Sequence, residues 1–313
     1  MQMASDPGRK LRYRSPYKGK DIVTAYLFLL PLLVGIALFF VYPIIRTFYL
    51  SFTSWKGVGP VTWKGFANYV KMFTKDKEFS YELRNTFVFV LGSVPLTLII
   101  SIVFAALMNS KIKAVGFFRT IYFLPNVIMG TVTVMIWRLI LNGEYGILNT
   151  VINAIFGVKI PWMSSPDYAM ISMCMISIWA GCGYCIVILL SGLQGISESY
   201  YEAAKIDGAT GVQQFTHITV PLLTPTIFYL MITRMIGAFN QFDMVYLVAS
   251  GGGTSGASGP VADALRTLVF GMYESGFCDM KMGYACAKAV ILFLIIMIVT
   301  VIQLIGEKRW VNY

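Results

Sequence analysis

Long apolar runs separated by polar segments dominate the pattern of the chain. A helix needs roughly 20 apolar residues to cross about 30 Å of hydrocarbon. Runs of that length lie at 22–45, 87–108, 120–141, 168–193, 219–239 and 285–305. Prolines in or beside some of these runs are compatible with membrane helices, because neighbouring helices can satisfy the freed backbone groups. The pattern therefore predicts an all-α polytopic membrane protein with six transmembrane helices.

The segment between the fourth and fifth runs is polar and strongly patterned. Ser199 is followed three residues later by Glu202, which is the spacing of a capping box at the start of a helix. Gly208 then stands where a left-handed residue ends many helices. The spacing predicts a short helix that runs to Asp207 and a turn at the glycine.

A second short helix is predicted directly after this turn. Thr210 and Gln213 form another capping box, the helix is expected to reach about Ile218, and Pro221 ends or kinks it. Helices this short are marginal alone in water, so another surface must hold them. The spacing leaves open a membrane-surface helix or a docking site for a partner, although a surface helix usually carries bulkier hydrophobes and more Lys and Arg.

The other polar segments carry weaker patterns. Segment 46–86 shows a turn followed by a short amphipathic stretch, and 250–260 is a flexible glycine-serine loop. Segment 142–166 has a small helical pattern that we expect at the outer membrane interface. Its apolar positions are Ile147, Val151, Ile152 and Ile155.

Composition strengthens the membrane interpretation and assigns a topology. Of the 313 residues 57% are hydrophobic and 13% are charged, against about 25% charged in soluble domains. The net charge of +10 fits the positive-inside rule rather than nucleic-acid binding, because basic residues crowd the first 20 positions and the 109–119 loop. We therefore expect 1–20 to be a basic cytoplasmic tail, 21–313 to be one membrane domain, and both termini and the 194–218 loop to be cytoplasmic.

Segment 46–86 must then lie outside, although it contains seven basic residues. Long loops constrain orientation less, so the assignment stands. Arg138 and Lys288 lie near the outer ends of their runs, where we expect their side chains to snorkel to the interface.

Candidate chemistry is sparse. His217 is the only histidine, which excludes a multi-histidine metal site, and no catalytic residue set is recognised. Cys182 and Cys185 lie inside a predicted span, where we expect them to be packing residues rather than redox or metal groups. No Walker-type phosphate loop occurs in the sequence, so any ATP that drives this protein must bind to another chain.

Residues 202–225, EAAKIDGATGVQQFTHITVPLLTP, closely resemble the cytoplasmic EAA loop of ABC importer permeases. Val220 replaces the usual leucine of that loop. The resemblance covers nearly the whole chain, since FANYV, RTIYFLPNV, SIWAGCGY and FNQFDMVYLV are similar to the sugar branch, which includes the larger maltose permease subunit. The matching loop positions are Glu202, Ala203, Ala204, Asp207, Gly208, Ala209, Phe215, Ile218 and Pro221.

The resemblance implies a type I ABC importer permease bundle in the cell membrane of a prokaryote, with the EAA loop at about 197–221. In that family the loop docks on a separate ATPase subunit, which binds ATP and Mg, so no cofactor is expected in this chain. The implied partners are a second permease, an ATPase dimer, an extracellular solute-binding protein, a carbohydrate and membrane lipid. The implied coupling residues are Glu202, Ala203, Ala204, Asp207, Gly208 and Ala209.

The resemblance also places a substrate path between two permeases near the midplane. The positions carried over from a maltose-type relative are Ser177, Gly181, Tyr184, Arg234, Ala238 and Gln241. Only the glycine and the tyrosine match that relative, so we expect a different sugar. Tyr184 suits stacking on a pyranose face, and Ser177, Asn240 and Gln241 offer hydrogen bonds.

Arg234 lies in the outer half of its predicted span, where a charge usually faces a cavity or a partner. It contacts either a hydroxyl-rich or acidic sugar or an acid of the companion permease, and the sequence leaves both open. The alternative function is an ATP-independent secondary transporter or channel. Such a protein is expected to carry ionisable relay residues across several spans, and the runs contain almost no acids.

Overall fold

The computed structural model describes residues 19–109, 115–251 and 259–310. These residues are almost entirely helical, and the chain divides into two compact units, Met1–Tyr49 and Leu50–Tyr313. The predicted tail at 1–20 falls almost wholly outside the described residues, as does most of the predicted loop at 250–260. The helices are α1 (Gly19–Ile36), α2 (Tyr42–Ser51), α3 (Ala67–Thr74), α4 (Lys77–Asn109), α5 (Val115–Val127), α6 (Gly130–Ile140), α7 (Ile147–Phe156), α8 (Pro166–Gln194), α9 (Glu198–Ile206), α10 (Gly211–Gln214), α11 (Val220–Leu222), α12 (Thr224–Phe239), α13 (Asp243–Ala249), α14 (Pro260–Leu265), α15 (Leu268–Tyr273) and α16 (Met282–Trp310).

All six predicted runs fall on helices. Among the described residues, four helices are long and apolar enough to cross a membrane by themselves. The other two runs form bent pairs, α5 with α6 and α10–α11 with α12, which brings the count to six when each pair is one span. The four single helices are Val23–Ser51, Lys77–Asn109, Pro166–Gln194 and Met282–Lys308.

The two bends have local causes. The first pair bends by 114° after α5, which contains Pro125, and Met129 before α6 has an extended backbone. The second pair bends by 64° at Leu223. Pro225 has no N–H to donate to the Pro221 carbonyl, and the Thr224 hydroxyl donates to that carbonyl instead, at 2.7 Å. Proline chemistry thus breaks runs that hydrophobicity alone presents as continuous.

The first unit contains α1 and most of α2, joined by the π-helical turn Ala37–Val41. Together they form one apolar helix of membrane length, which continues past the predicted end at residue 45 to Ser51.

In the second unit, a two-stranded antiparallel hairpin follows α2. Strands β1 (Thr53–Ser54) and β2 (Thr62–Trp63) pair with Thr53 opposite Trp63. The Asn68 side-chain amide on α3 donates to the Thr53 carbonyl at 2.9 Å, which fastens the helix to the hairpin. This hairpin and α3 are the turn and the amphipathic stretch predicted within 46–86.

The packing of α4 against α8 forms the core of the second unit. Ser93, Thr97 and Ser101 lie one turn apart on α4, and all three are buried. Such small side chains allow two membrane helices to approach closely. The Ser101 hydroxyl donates to the Cys182 carbonyl of α8 at 3.4 Å. Cys182 and Cys185 are free, buried thiols in this core, so the prediction that they are packing residues is confirmed.

A buried ion pair joins α4 to α16. Glu82 and Lys288 are each 1% exposed, and Nζ lies 2.7 Å from Oε1. The prediction that Lys288 snorkels is wrong. Helix α4 begins at Lys77, ten residues before the predicted run at 87–108, and it therefore carries Glu82 into the bundle rather than into a loop. A Cβ on Gly271 would collide with this carboxylate, so a larger residue there would displace Glu82 from its position.

Further polar contacts surround this pair at the same end of α16. The Tyr284 hydroxyl donates to Asp76, and Nζ of Lys71 lies 4.9 Å from the Tyr284 ring centre. Partial burial opposes ionisation of Asp76, but this hydrogen bond and backbone N–H donors outweigh it and hold the pKa of the carboxyl below its usual value. Arg138 does not snorkel freely either. It is half-buried, and its guanidinium donates to the Val248 carbonyl at 3.5 Å.

The predicted small helix in 142–166 is confirmed as α7. The Asn149 side chain anchors it by donating to the carbonyls of Gly143 at 2.9 Å and Ile160 at 2.7 Å. Ile147 and Ile155 remain 71% and 67% exposed, as an interfacial helix requires, while its place at the outer interface stays a prediction.

Candidate functional site: a capped hairpin and a cationic seam

Helix α9 opens the polar segment between α8 and α12. The predicted capping box of Ser199 and Glu202 is wrong, because Ser197 is the residue that caps the helix. Its backbone is extended (φ −63°, ψ 134°), and its hydroxyl accepts from the Ser199 N–H at 3.4 Å. Ser197 and Ser199 have the same side chain, and the backbone path out of α8 places Ser197 at the capping position. Glu202 is consequently free of the cap, and it is exposed.

The turn after α9 has the geometry that the sequence predicts. Gly208 has φ +77°, a left-handed value that favours glycine. Its N–H donates to the Lys205 carbonyl at 3.1 Å, and the Ala209 N–H donates to the Ala204 carbonyl at 2.9 Å. These two bonds form a Schellman motif, which satisfies carbonyls that the end of a helix leaves free.

The second capping box is confirmed. The Thr210 N–H donates to Gln213 Oε1 at 2.8 Å, and the Gln213 N–H donates back to the Thr210 hydroxyl. The helix then continues through the π-helical turn Phe215–Thr219 to Leu222, four residues beyond the predicted end. The hydroxyls of Tyr201 and Thr219 lie 3.0 Å apart and tie the two halves of the hairpin together.

The outer surface of this hairpin combines carboxylates with two large apolar side chains. Ile206 is 86% exposed and Val212 is 73% exposed, one on each side of the glycine turn. Helix α9 has no buried residue. Of the predicted coupling residues, Glu202, Ala203, Asp207 and Gly208 are exposed, and Ala204 and Ala209 are half-buried. A rigid, capped hairpin with exposed isoleucine and valine between acidic groups is suited to docking in a cleft.

The second predicted site lies where α8 meets α12. On α8, Ser177 and Gly181 are buried and Tyr184 is half-buried, and their spacing places them on one face. On α12, Arg234 and Ala238 are half-buried.

The last two predicted positions follow the end of α12 rather than lying on it. Gln241 is half-buried, whereas Asn240 is exposed and its side-chain amide donates back to the Ile236 carbonyl at 2.9 Å. The structure therefore brings α8 and α12 together at Gly181 and Arg234, and it directs the Asn240 amide to its own helix.

Arg234 reaches the middle of α8. A Cβ at Gly181 would lie 2.0 Å from Arg234 Nη2, so the guanidinium occupies the space that a larger side chain would fill. Gly181 is 15 residues after Pro166 and 13 before Gln194, or about 22 Å and about 20 Å from the two ends of the helix. The charge thus sits deeper than the position of Arg234 on its own helix indicates.

The guanidinium has no counter-charge in the chain as described. No carboxylate of residues 19–109, 115–251 or 259–310 forms a salt bridge with Arg234, and its Nε is buried without a hydrogen-bond partner there. Asp243, which lies nine residues later in the chain, is among the carboxylates that do not pair with Arg234.

Two contributors to this region were not predicted. The Tyr229 hydroxyl on α12 lies 3.5 Å from the Tyr184 hydroxyl, which gives the site a second phenol. Nothing in the spacing of α12 singles out Tyr229. A Cβ at Gly183 would lie 1.9 Å from the Tyr122 carbonyl oxygen, so α5 crosses α8 at this glycine. The two glycines in AGCGY could have indicated that other helices contact α8 closely here, since small residues mark close helix contacts.

Residues 97–312 match the family described as the binding-protein-dependent transport system inner membrane component. The chain belongs to this family of ABC transporter permeases. It is 35% identical over 296 residues to the probable ABC transporter permease YesP of Bacillus subtilis, covering 94% of this chain and 93% of the relative. It is 30% identical to the trehalose/maltose transport permease MalF of Thermococcus litoralis, covering 96% and 97%.

Solved structures agree on the fold of the permease. A chain of a bacterial ABC transporter involved in the import of the acidic polysaccharide alginate superposes with a TM-score of 0.78, at 20% identity, covering 94% of this chain and 98% of that chain. A chain of a bacterial alginate ABC transporter in complex with an alginate pentasaccharide-bound periplasmic protein gives a TM-score of 0.80, at 20% identity, covering 93% of this chain and 96% of that chain. The type I importer permease fold is thereby confirmed, and the permease is a membrane component of a transport system rather than an enzyme.

Proposed function

We propose that this permease forms half of the membrane path of an ATP-driven carbohydrate importer, which passes a sugar from an extracellular binding protein to the cytoplasm by alternating access. The relative MalF is a permease of a trehalose/maltose transport system, which supports carbohydrate as the substrate class. The observation that carries the proposal is the exposed, doubly capped EAA hairpin between α8 and α12.

The hairpin is the docking site for a separate ATPase subunit. Its exposed Ile206 and Val212 fit an apolar cleft, and Glu202 fits a basic residue at the rim of that cleft. ATP and Mg bind in the ATPase dimer, because this chain has no phosphate loop. Closure of that dimer draws the hairpins of two permeases together and rocks the bundle between inward-facing and outward-facing states.

The substrate path runs along the seam of α8 and α12, where it faces the companion permease. Tyr184 supplies a ring face for a pyranose, and Ser177 and Gln241 supply hydrogen bonds. The small side chain of Ala238 leaves room for the sugar, and Gly181 leaves room for the Arg234 guanidinium beside it.

The hairpin, the C-terminus and the basic N-terminal tail are cytoplasmic. The ring of Trp310 near the end of α16 lies 5.9 Å from that of Phe228 in the first turns of α12, which directly follow the hairpin. The C-terminal end therefore lies on the hairpin side of the bundle. This arrangement supports a cytoplasmic C-terminus if the hairpin meets the ATPase there.

Loss of the carboxylate at Glu202 tests the docking role. We expect Glu202→Ala to reduce ATP-driven uptake in reconstituted transporter at least tenfold, since a charge-assisted contact to the ATPase is lost. Glu198→Ala is the matched control, because Glu198 is an exposed acid in the first turn of the same helix outside the EAA positions. Equal uptake by both variants and the parent protein, or uptake without ATP, would overturn the proposal.

A further inference from the structure

Arg234 differs from the other buried or half-buried cations of the second unit. Lys288 pairs with Glu82, and Arg266 lies 2.9 Å from Glu274. Arg138 donates to a backbone carbonyl. Lys288 and Arg266 thus have carboxylate partners inside the chain, and Arg138 has a backbone carbonyl as an acceptor. Arg234 alone in this set has neither a carboxylate nor a carbonyl partner in the described part of the chain.

Because the Arg234 guanidinium lies deep in the bundle, the lack of a partner for its charge in the described chain costs free energy. It lies against the middle of a 29-residue helix, where a charge is stable only if it faces a cavity or a compensating group. An arginine side chain does not deprotonate to escape the cost. The assembled transporter therefore supplies an anion, other hydrogen-bond acceptors or a water-filled cavity at this point.

The neighbours of Arg234 match a sugar that carries an anionic group. The Tyr184 and Tyr229 hydroxyls lie 3.5 Å apart beside the same seam, and they offer ring faces and hydroxyl groups to a pyranose. The planar guanidinium fork matches a carboxylate or a sulfonate with two parallel hydrogen bonds. Gly181 has no Cβ, and this leaves the guanidinium room against α8 at that position.

We propose that Arg234 binds the anionic group of the substrate, so that the permease carries an acidic saccharide. The proposal rests on the importer function proposed above and specifies its substrate class. It places the sugar ring at Tyr184 and the carboxylate or sulfonate at Arg234. The competing source of an anion, a carboxylate of the companion permease, predicts no dependence on the charge of the sugar.

The test uses the complete transporter, with its binding protein, companion permease and ATPase, in proteoliposomes. The probes are a uronic-acid disaccharide, its neutral methyl ester and a sulfonated glycoside. Each is supplied at a concentration that saturates the binding protein, so that selection by that protein does not enter. We expect the parent protein to import at least one of the two acids at least tenfold faster than the ester. Whether the carboxylate or the sulfonate probe is favoured identifies the anionic group.

Three variants separate charge from structure. Arg234→Gln should lose the preference for the acid, and Arg234→Lys should retain part of it. Gly181→Ala should weaken the preference by displacing the guanidinium, whereas Gly237→Ala is the matched control, because a Cβ there meets nothing within 4 Å.

The outcomes are distinct. ATP-driven uptake that ignores the charge of the probe, or an Arg234→Gln variant that loses acid and ester equally, overturns the anion-binding proposal alone. The second result would point to a structural pair with the companion permease. Uptake by the parent protein that does not require ATP overturns the importer function itself.

Discussion

The effect of a buried charge on the stability of the bundle depends on which groups lie next to it. Lys288 and Glu82 are fully buried and directly bonded, and one Glu82 oxygen has no partner in the described residues. Such a pair contributes little net stability compared with apolar residues, but removal of one partner leaves a buried charge uncompensated. The pair therefore fixes how α4, α15 and α16 meet.

Replacement of Lys288 should reveal this dependence. We expect Lys288→Met to lower the free energy of unfolding by about 3–5 kcal/mol, and the double variant with Glu82→Leu to recover much of the loss. Lys281→Met is the control, because Lys281 forms an exposed pair with Asp279 whose loss costs about 1 kcal/mol or less. Thermal unfolding of the purified transporter measures the shifts, and equal shifts for the two single variants would contradict the interpretation.

At the scale of elements, the hairpin of α9 and α10 is held in shape by hydrogen bonds at both ends of α9 and at the start of α10. The Ser197 cap, the Schellman motif at Gly208 and the Thr210–Gln213 box supply partners for terminal backbone groups. Helices of nine and four residues do not hold their shape by propensity alone. A preformed hairpin avoids an ordering cost when it docks.

Gly208 is the position where this rigidity can be tested. A non-glycine residue in the left-handed region costs about 1–2 kcal/mol, so Gly208→Ala should weaken ATPase binding by about fivefold to thirtyfold. Asparagine tolerates this conformation better, so Gly208→Asn should lose less. Gly211→Ala serves as the control, since its Cβ meets nothing within 4 Å and its φ is not positive. The measurement is the affinity of the permease pair for the ATPase. Equal losses at both glycines would show that the turn geometry is unimportant.

At the scale of the whole molecule, the bend at Leu223 separates the segment that docks on the ATPase from the helix that lines the proposed substrate path. The break at Leu223 lets the helix that carries the hairpin leave the direction of α12, which carries Arg234. Motion of the hairpin is thereby connected through a single chain segment to the predicted substrate path. The exposed thiol of Cys278 follows α15, at the end of α16 opposite to Trp310.

Thiol labelling of intact cells tests this division. We expect a membrane-impermeant maleimide to label Cys278 from outside, because it is the exposed cysteine in the described chain. In a Cys278→Ser background, an Ile206→Cys variant should be labelled only after the membrane is permeabilised. Cys278→Ser alone is the background control. Labelling of residue 206 from outside would place the hairpin on the wrong side for an ATPase.

Prediction from the sequence succeeded where the signal is local. The six apolar runs, the turn at Gly208 and the Thr210–Gln213 box depend on residues close in the chain, and all are found. The prediction of a capping box at Ser199 and Glu202 failed, because Ser197 has the same type of side chain two residues earlier and is the residue that caps the helix. The prediction for Lys288 failed because its partner is 206 residues away.

The sequence by itself determined the class of the protein: hydrophobic runs and a capped polar segment predict a multi-span helical protein, since both follow from periodicity and local hydrogen bonding, and the resemblance of residues 202–225 to the EAA loop adds the permease family. Tertiary structure alone decided which charges are compensated. The Glu82–Lys288 pair and the position of the Arg234 guanidinium against Gly181 arise from contacts between helices distant in the chain. Electrostatic energy depends on distance and burial in space, which hydrophobic patterning does not encode.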